Sequence, residues 1–285
     1  MGAFHGIKLQ ARTDDYYRKV AEYYDQDARD FLERYQQNHV LQRIRDDFRW
    51  ITEQFSFQSM LEIGCGPGVD LLYFAQKYPK VEVAGIDVSE EMVKRARYLL
   101  VQNGMQRVSV EVGTVEDVAQ LFPRRTFDMI YCYFGALNTV KDLQQVAHVL
   151  RNIVSSDGTL VLTFVNRWYL FDLFFYLVQR NYRRAFSRIT NRWAGYSPVK
   201  RLESTCRSAR EIKRSFQPYF RIVRRKGYSI FFPAWYRQHR IVPDSRWAHW
   251  LWRMDQWINK TPFWNIGEYS LYVMKPLEGT VEDYR

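Results

Sequence analysis

Three glycines at alternate positions, Gly64, Gly66 and Gly68 in LEIGCGPGVDLL, carry the most chemical information in this 285-residue sequence. They lie where a short apolar run, SMLEI, gives way to a helical pattern. Glycine lets a backbone turn tightly and approach a ligand closely. The helix N-terminus that follows can receive a carboxylate or a phosphate. Asp87 stands 23 residues after Gly64, at the end of a second apolar run, VEVAGID. A carboxylate there can accept both hydrogen bonds of a ribose diol. Together these residues predict a nucleoside-bearing ligand. A dinucleotide turn is written GxGxxG, with its third glycine one place later. Here the third glycine is at +4, and an acidic residue, Glu62, precedes the first.

Other reactive side chains form no constellation. Cys65, Cys132 and Cys206 share no CxxC spacing. That excludes a thiolate zinc site and a disulfide scaffold, suits a reducing compartment and leaves no metal site expected. Cys132 reads as a buried free thiol. The five histidines are scattered. His239, in the basic aromatic stretch YRQHRIVPD, and Tyr24 are the catalytic candidates, and neither has an evident partner that would activate it.

The elements that must position these residues follow from periodicity. The first 55 residues read as helical, with Tyr16, Val20, Tyr23 and Tyr24 on one face and Val40, Leu41, Ile44, Phe48 and Ile51 on another. Strands then alternate with helices. Strands are expected at SMLEI, 81–87, 108–113, 127–134 and 158–165, and helices at 70–78, 90–103 and 142–153, with Ser89 as an N-cap and Gly104 as a stop. That alternation predicts a doubly wound, mostly parallel sheet with helices on both faces. Further on, Trp168–Val178 reads as a buried helix, 209–216 as a helix, 220–233 as a strand pair or one bent strand, and 268–276 as a late strand. Trp247, Trp250, Leu251, Met254, Trp257 and Ile258 form a stripe that something must cover, with Trp252, Asp255 and Asn259 off it.

The glycine turn resembles motif I of the class I S-adenosylmethionine-dependent methyltransferases. GIDVSEEMVKRAR (85–97), FDMIYCYFGALN (127–138) and LRNIVSSDGTLVLTF (150–164) are similar to that family's later motifs. The likeness covers roughly 57–165 and implies a Rossmann-like sheet of seven strands, the last two near 220–232 and 268–275. It implies three divisions: 1–55 as a helical lid, 56–165 as the cofactor-binding core, and 166–285 as the rest of the sheet with an acceptor-site cap. By position it implies that Glu62, Gly64, Cys65, Gly66 and Gly68 hold the methionine part of the cofactor and Asp87 the ribose. Val88 and Met92 would flank the adenine. Thr114, Val115 and Glu116 stand where an Asp usually meets the adenine amine, with Asp117 beside them. Tyr131, Cys132 and Tyr133 would line the transfer cleft. Tyr16, Tyr24, Asn138, Trp168 and Trp250 are the substrate-binding candidates.

Charge divides the chain. Residues 1–165 hold 19 Lys+Arg against 22 Asp+Glu, while 166–285 hold 23 against 9 and carry eight of the nine Trp. A basic aromatic region can serve RNA, an anionic membrane surface or an aromatic pocket. The sequence lacks the [N/D/S]PP[Y/F] stretch that base-modifying amino-methyltransferases often carry. The resulting order places a small organic or lipid-like acceptor first and RNA or protein second. A non-catalytic cofactor-binding partner comes third, disfavoured by the intact turn and Asp87. The N-terminal residues show no apolar signal region, and no run of about 18 apolar residues occurs. The expected location is the cytoplasm, with a peripheral position at the membrane as a variant.

Overall fold

Each apolar run that ends in glycine or a small polar residue becomes a strand. The computed structural model describes residues 14–190, 202 and 204–278. The strands are β1 (Ser59–Ile63), β2 (Glu82–Asp87), β3 (Ser109–Val112), β4 (Phe127–Cys132), β5 (Val154–Val165), β6 (Phe220–Tyr228) and β7 (Tyr269–Pro276). They form one sheet in the order β3-β2-β1-β4-β5-β7-β6. β1 to β5 are parallel neighbours, and β7 runs antiparallel to both β5 and β6. The chain order reverses between β1 and β4, which opens a crevice at their carboxyl ends.

The helices are α1 (Asp15–Asp27), α2 (Phe31–Gln36), α3 (His39–Thr52), α4 (Val69–Lys77), α5 (Glu90–Gln102), α6 (Val118–Leu121), α7 (Leu143–Ile153), α8 (Leu170–Val178), α9 (Tyr182–Ala185), α10 (Ala209–Phe216) and α11 (Arg246–Ile258). Local chemistry fixes where they begin. Asp14, Asn38, Ser89, Asp142 and Ser245 each accept a first-turn amide hydrogen, and Ser208 with Glu211 forms a reciprocal cap on α10. One face of the sheet packs on α3, α4, α5 and α11 through Phe48, Phe74, Tyr131 and Tyr228. The other packs on α6, α7 and α10 through Phe127, Phe164, Phe216 and Tyr272.

Two expectations about the last third of the chain are overturned. None of the residues of α8 is buried, although its sequence is almost wholly apolar. Helix α11 is also rotated from the expected face. Trp247 and Trp250 are 70% and 50% exposed, whereas Trp252 packs against the core. The cause is Asp255, whose carboxylate accepts from the amides of Ile230, Phe231 and Phe232 at 3.1, 2.6 and 3.2 Å. Burial raises its pKa to about 6 against the pull of those donors. An unpaired turn of three buried or half-buried amides would cost more than exposing indole edges, so the polar contact sets the helix rotation. The segment 220–233 is one bulged strand followed by this turn, not a strand pair. Among the described residues, no helix is long and apolar enough to cross a membrane.

Candidate active site

The turn between β1 and α4 places Gly64, Gly66 and Gly68 at φ of +69°, +51° and +81°, a region that a side chain disfavours. A Cβ on Gly64 would lie 2.3 Å from that of Ala136, whereas one on Gly66 would meet nothing within 4 Å. The open side of Gly66 faces a cavity of about 270 Å³ at the carboxyl ends of β1, β2 and β4. Asp87 ends β2 beside it. Its Oδ2 accepts from the Gly66 amide at 2.8 Å and its Oδ1 from the Ser89 amide at 2.9 Å. Burial raises its pKa to about 6, opposed by those two amides. The carboxylate keeps acceptor capacity for a diol, and Val88, Met92, Thr114 and Val115 line the cavity next to it.

Glu62 lines the cavity from the end of β1. Burial and the nearby Asp70 carboxylate push its pKa well above the usual range, and the Tyr131 hydroxyl donates to it at 3.2 Å. Asp70 is itself held by two buried guanidiniums of α3, Arg45 and, at 2.7 Å, Arg49. Arg45 reaches the cavity, lies over the rings of Tyr35 and Phe134, and has a buried Nε with no hydrogen-bond partner.

Helices α1 and α2 cover this space. Tyr17, Val20, Tyr23, Tyr24, Asp27 and Phe31 all face it. Two contacts dock α1 on the strand tips. The Tyr17 hydroxyl donates to Glu116 at 2.9 Å, and Asp25 accepts from the Ser89 hydroxyl and the Glu91 amide at 2.6 and 3.1 Å. Trp235, Tyr269, Leu202 and Ser204 contribute further wall.

The structure brings most of the sequence-predicted residues together. Glu62, Gly64, Cys65, Gly66, Asp87, Val88, Met92, Thr114, Val115 and Tyr133 line the cavity, as does Tyr24. Gly68 caps α4 behind the turn. Others are placed elsewhere for identifiable reasons. Tyr131 and Cys132 are fully buried beneath the floor, where burial pushes the thiol up to about 12. Glu116 is turned toward Tyr17. Asp117 accepts from the Thr114 amide and hydroxyl at 2.8 and 2.9 Å, a local cap. Asn138 reaches the wall, but its amide group bonds the Val165 backbone twice and the Thr205 carbonyl once. Tyr16 packs under Lys141 at the rim rather than facing the cavity. Trp168, Trp250 and His239 are exposed and outside it. Sequence reasoning passed over Tyr17, Tyr35, Arg45, Asp70 and Trp235. For Arg45 the signal was present: two arginines four apart, on the helix face that also carries Ile44 and Phe48.

The whole arrangement fits a nucleoside with a short charged tail. A diol acceptor at Asp87, a side-chain-free approach at Gly66 and a charged cluster at Glu62 and Arg45 lie along one cavity. A model of the methyltransferase domain matches residues 56–216, more than half of the chain, and the chain belongs to the class I S-adenosylmethionine-dependent methyltransferase family. It is similar to ajmaline N-methyltransferase of Rauvolfia serpentina, at 30% identity over 37% of this chain and 35% of that one. It is similar to nocamycin O-methyltransferase of Saccharothrix syringae, at 33% over 36% of each. Against the ubiquinone biosynthesis O-methyltransferase of Xanthomonas campestris it is 31% identical over 45% of this chain and 52% of that one. The match thus spans about a third to a half of these relatives' length. An S-adenosylmethionine-dependent methyltransferase from Clostridium acetobutylicum shares the fold at TM-score 0.53 and 13% identity, covering 91% of this chain and 98% of that one.

Proposed function

We propose that this protein transfers a methyl group from S-adenosylmethionine to a small organic or lipid-like acceptor. The observation that carries this reading is one continuous cavity joining the Asp87–Gly66 end to walls of Tyr23, Phe31, Tyr35, Trp235 and Tyr269 under a cover of helices. Such enclosure suits a small acceptor better than RNA or a folded protein. The methyl group passes to an O, N or C atom of that acceptor. The chain divides by role on this reading: α1 and α2 cover the cavity, α3 and the core to 165 hold the cofactor, and the described residues beyond 165 complete the sheet and the acceptor wall.

When bound, the cofactor supplies a methyl group already activated on a sulfonium. The residues of this chain then have to align the acceptor and exclude water. Asp87 would hold the ribose diol, Val88 and Met92 the adenine faces, and Glu62 with Arg45 the charged amino-acid end. Burial raises the Tyr24 phenol far above its ordinary range. Tyr24 therefore stays protonated and acts as a donor that positions, not as a base. His239, exposed and outside the cavity, has no role in this scheme.

Isothermal titration with S-adenosylhomocysteine tests the reading. Wild-type protein should bind it, and Asp87→Ala should weaken binding by about 2–4 kcal/mol, because two hydrogen bonds to a charged acceptor are lost. Binding of NAD in place of S-adenosylhomocysteine would overturn it.

A further inference from the structure

Helix α8, LFDLFFYLV, is the most apolar helix among the described residues, yet none of its side chains is buried. Phe174 and Val178 are 61% and 85% exposed. A contiguous apolar face of this kind marks a partner. Cations flank it. Arg180, Arg183 and Arg184 are exposed at its C-terminal end, and the exposed Arg240 lies over Phe175. Its one acid, Asp172, is already bound by the Tyr236 hydroxyl at 2.6 Å and by Arg237 at 2.7 Å.

A second cavity of about 160 Å³ opens between α8, the turn at 231–233 and α11, lined by Phe171, Phe231, Pro233, Arg237, Arg240 and Leu251 among others. Arg237 is buried, with its guanidinium 4.4 and 4.1 Å from the ring centroids of Phe171 and Phe175. Its Nη1 has no hydrogen-bond partner. The Arg237 charge is already paired with Asp172, and the exposed Arg240 beside Phe175 is the cation open to an anionic oxygen. The site therefore offers an apolar wall and a cationic donor side by side.

We propose that the face made by α8, α9 and the 231–240 segment docks on a bilayer containing anionic lipid, with a lipid phosphate received at Arg240. Aromatic side chains at the headgroup level and arginines facing acidic headgroups are the chemistry of that surface. The charge supports it, since residues 166–285 hold 23 Lys+Arg against 9 Asp+Glu. An RNA groove uses aromatic rings on which bases stack, whereas this ridge is aliphatic as well, with Leu170, Leu173, Leu177 and Val178 beside its phenylalanines. The face also adjoins the acceptor cavity. Trp235 lines that cavity, and the next residue, Tyr236, is the one bonded to Asp172 of α8. The proposal deepens the lipid-like acceptor reading and rests on it only for what enters the cavity.

Flotation of the full chain with phosphatidylcholine vesicles, with and without phosphatidylglycerol, provides the test. Wild type should float only with phosphatidylglycerol present. Phe174→Asp with Val178→Asp, and separately Arg183→Glu with Arg184→Glu, should each weaken binding about tenfold or more, and Arg240→Ala by a few-fold. All these side chains are exposed, so melting temperature and affinity for S-adenosylhomocysteine should be unchanged. Absence of flotation by wild type, or flotation of both double variants equal to that of wild type, would overturn the proposal. So would single-stranded RNA binding that the Phe174 variant retains, or a dimer that the same variant dissociates. Failure of wild type to bind S-adenosylhomocysteine would sink the methyltransferase reading alone and leave the vesicle result standing.

Discussion

The turn after β1 and the helix before β7 both carry signals that are plain in sequence, but only one of them means what it suggests. At the turn, Gly64, Gly66 and Gly68 all adopt left-handed backbone, and Asp87 meets them through the Gly66 amide. In α11, the tryptophan stripe that should be covered faces outward, while the polar Asp255 is buried. The difference lies in what each signal constrains. A glycine turn is a backbone requirement that few other residues can satisfy. An apolar stripe is a preference, which three amide hydrogens needing a carboxylate can outweigh.

Substitutions can sharpen or break this contrast. The largest effect is expected at Asp70→Ala, in the wall of the main cavity. It would leave Arg45 and Arg49 buried without their shared carboxylate, and removing one partner of a buried ion pair typically costs about 3–5 kcal/mol. A urea denaturation midpoint equal to wild type would show that the cluster contributes nothing.

An intermediate effect is expected from pH. Burial, helped by the nearby Asp25 carboxylate, raises the Asp87 pKa to about 6. A diol needs the ionised form, so affinity should be full above that value and fall as pH drops through it. Going from pH 8 to pH 5 should weaken S-adenosylhomocysteine binding about tenfold, the protonated excess over one pH unit. A flat titration profile, with the fold intact by circular dichroism, would show that Asp87 does not hold the ligand.

The smallest effect belongs to the outward face. Trp250→Ala should change the melting free energy by no more than about 0.5 kcal/mol, as surface positions do, and should leave cofactor affinity alone. Trp252→Ala, on the packed side, should cost several times more. Equal losses would restore the stripe that the sequence suggested.

Much of the parallel sheet could be read in advance because its strands end in residues with sharp conformational demands: Gly64 after β1, Asp87 at the end of β2, and the Ser89 cap of α5. The cover over the cavity was legible as an aromatic helix, with Val20, Tyr23 and Tyr24 on the inner face and only Tyr16 misplaced. Tyr17, not Tyr16, points inward, since positions 17, 20, 24 and 27 follow helical spacing more closely. Asp70 escaped because a charge pair that meets only in three dimensions leaves no spacing in the chain; the Arg45–Arg49 spacing was visible, but not the carboxylate that it serves. The same holds for Trp235, which a turn and a short helix bring to the wall.

The docking of α1 has a kinetic implication. Asp25 accepts from the Ser89 hydroxyl and the Glu91 amide, so it belongs to the first turn of α5 as much as to its own helix. Ser89 in turn donates its amide to Asp87. Any swing of α1 away from the strand tips therefore has to strip hydrogen-bond partners from the first turn of α5 and part Tyr17 from Glu116 as well. Loss of Asp25 would remove the first restraint, and exchange of a bound nucleoside would then be limited by the second.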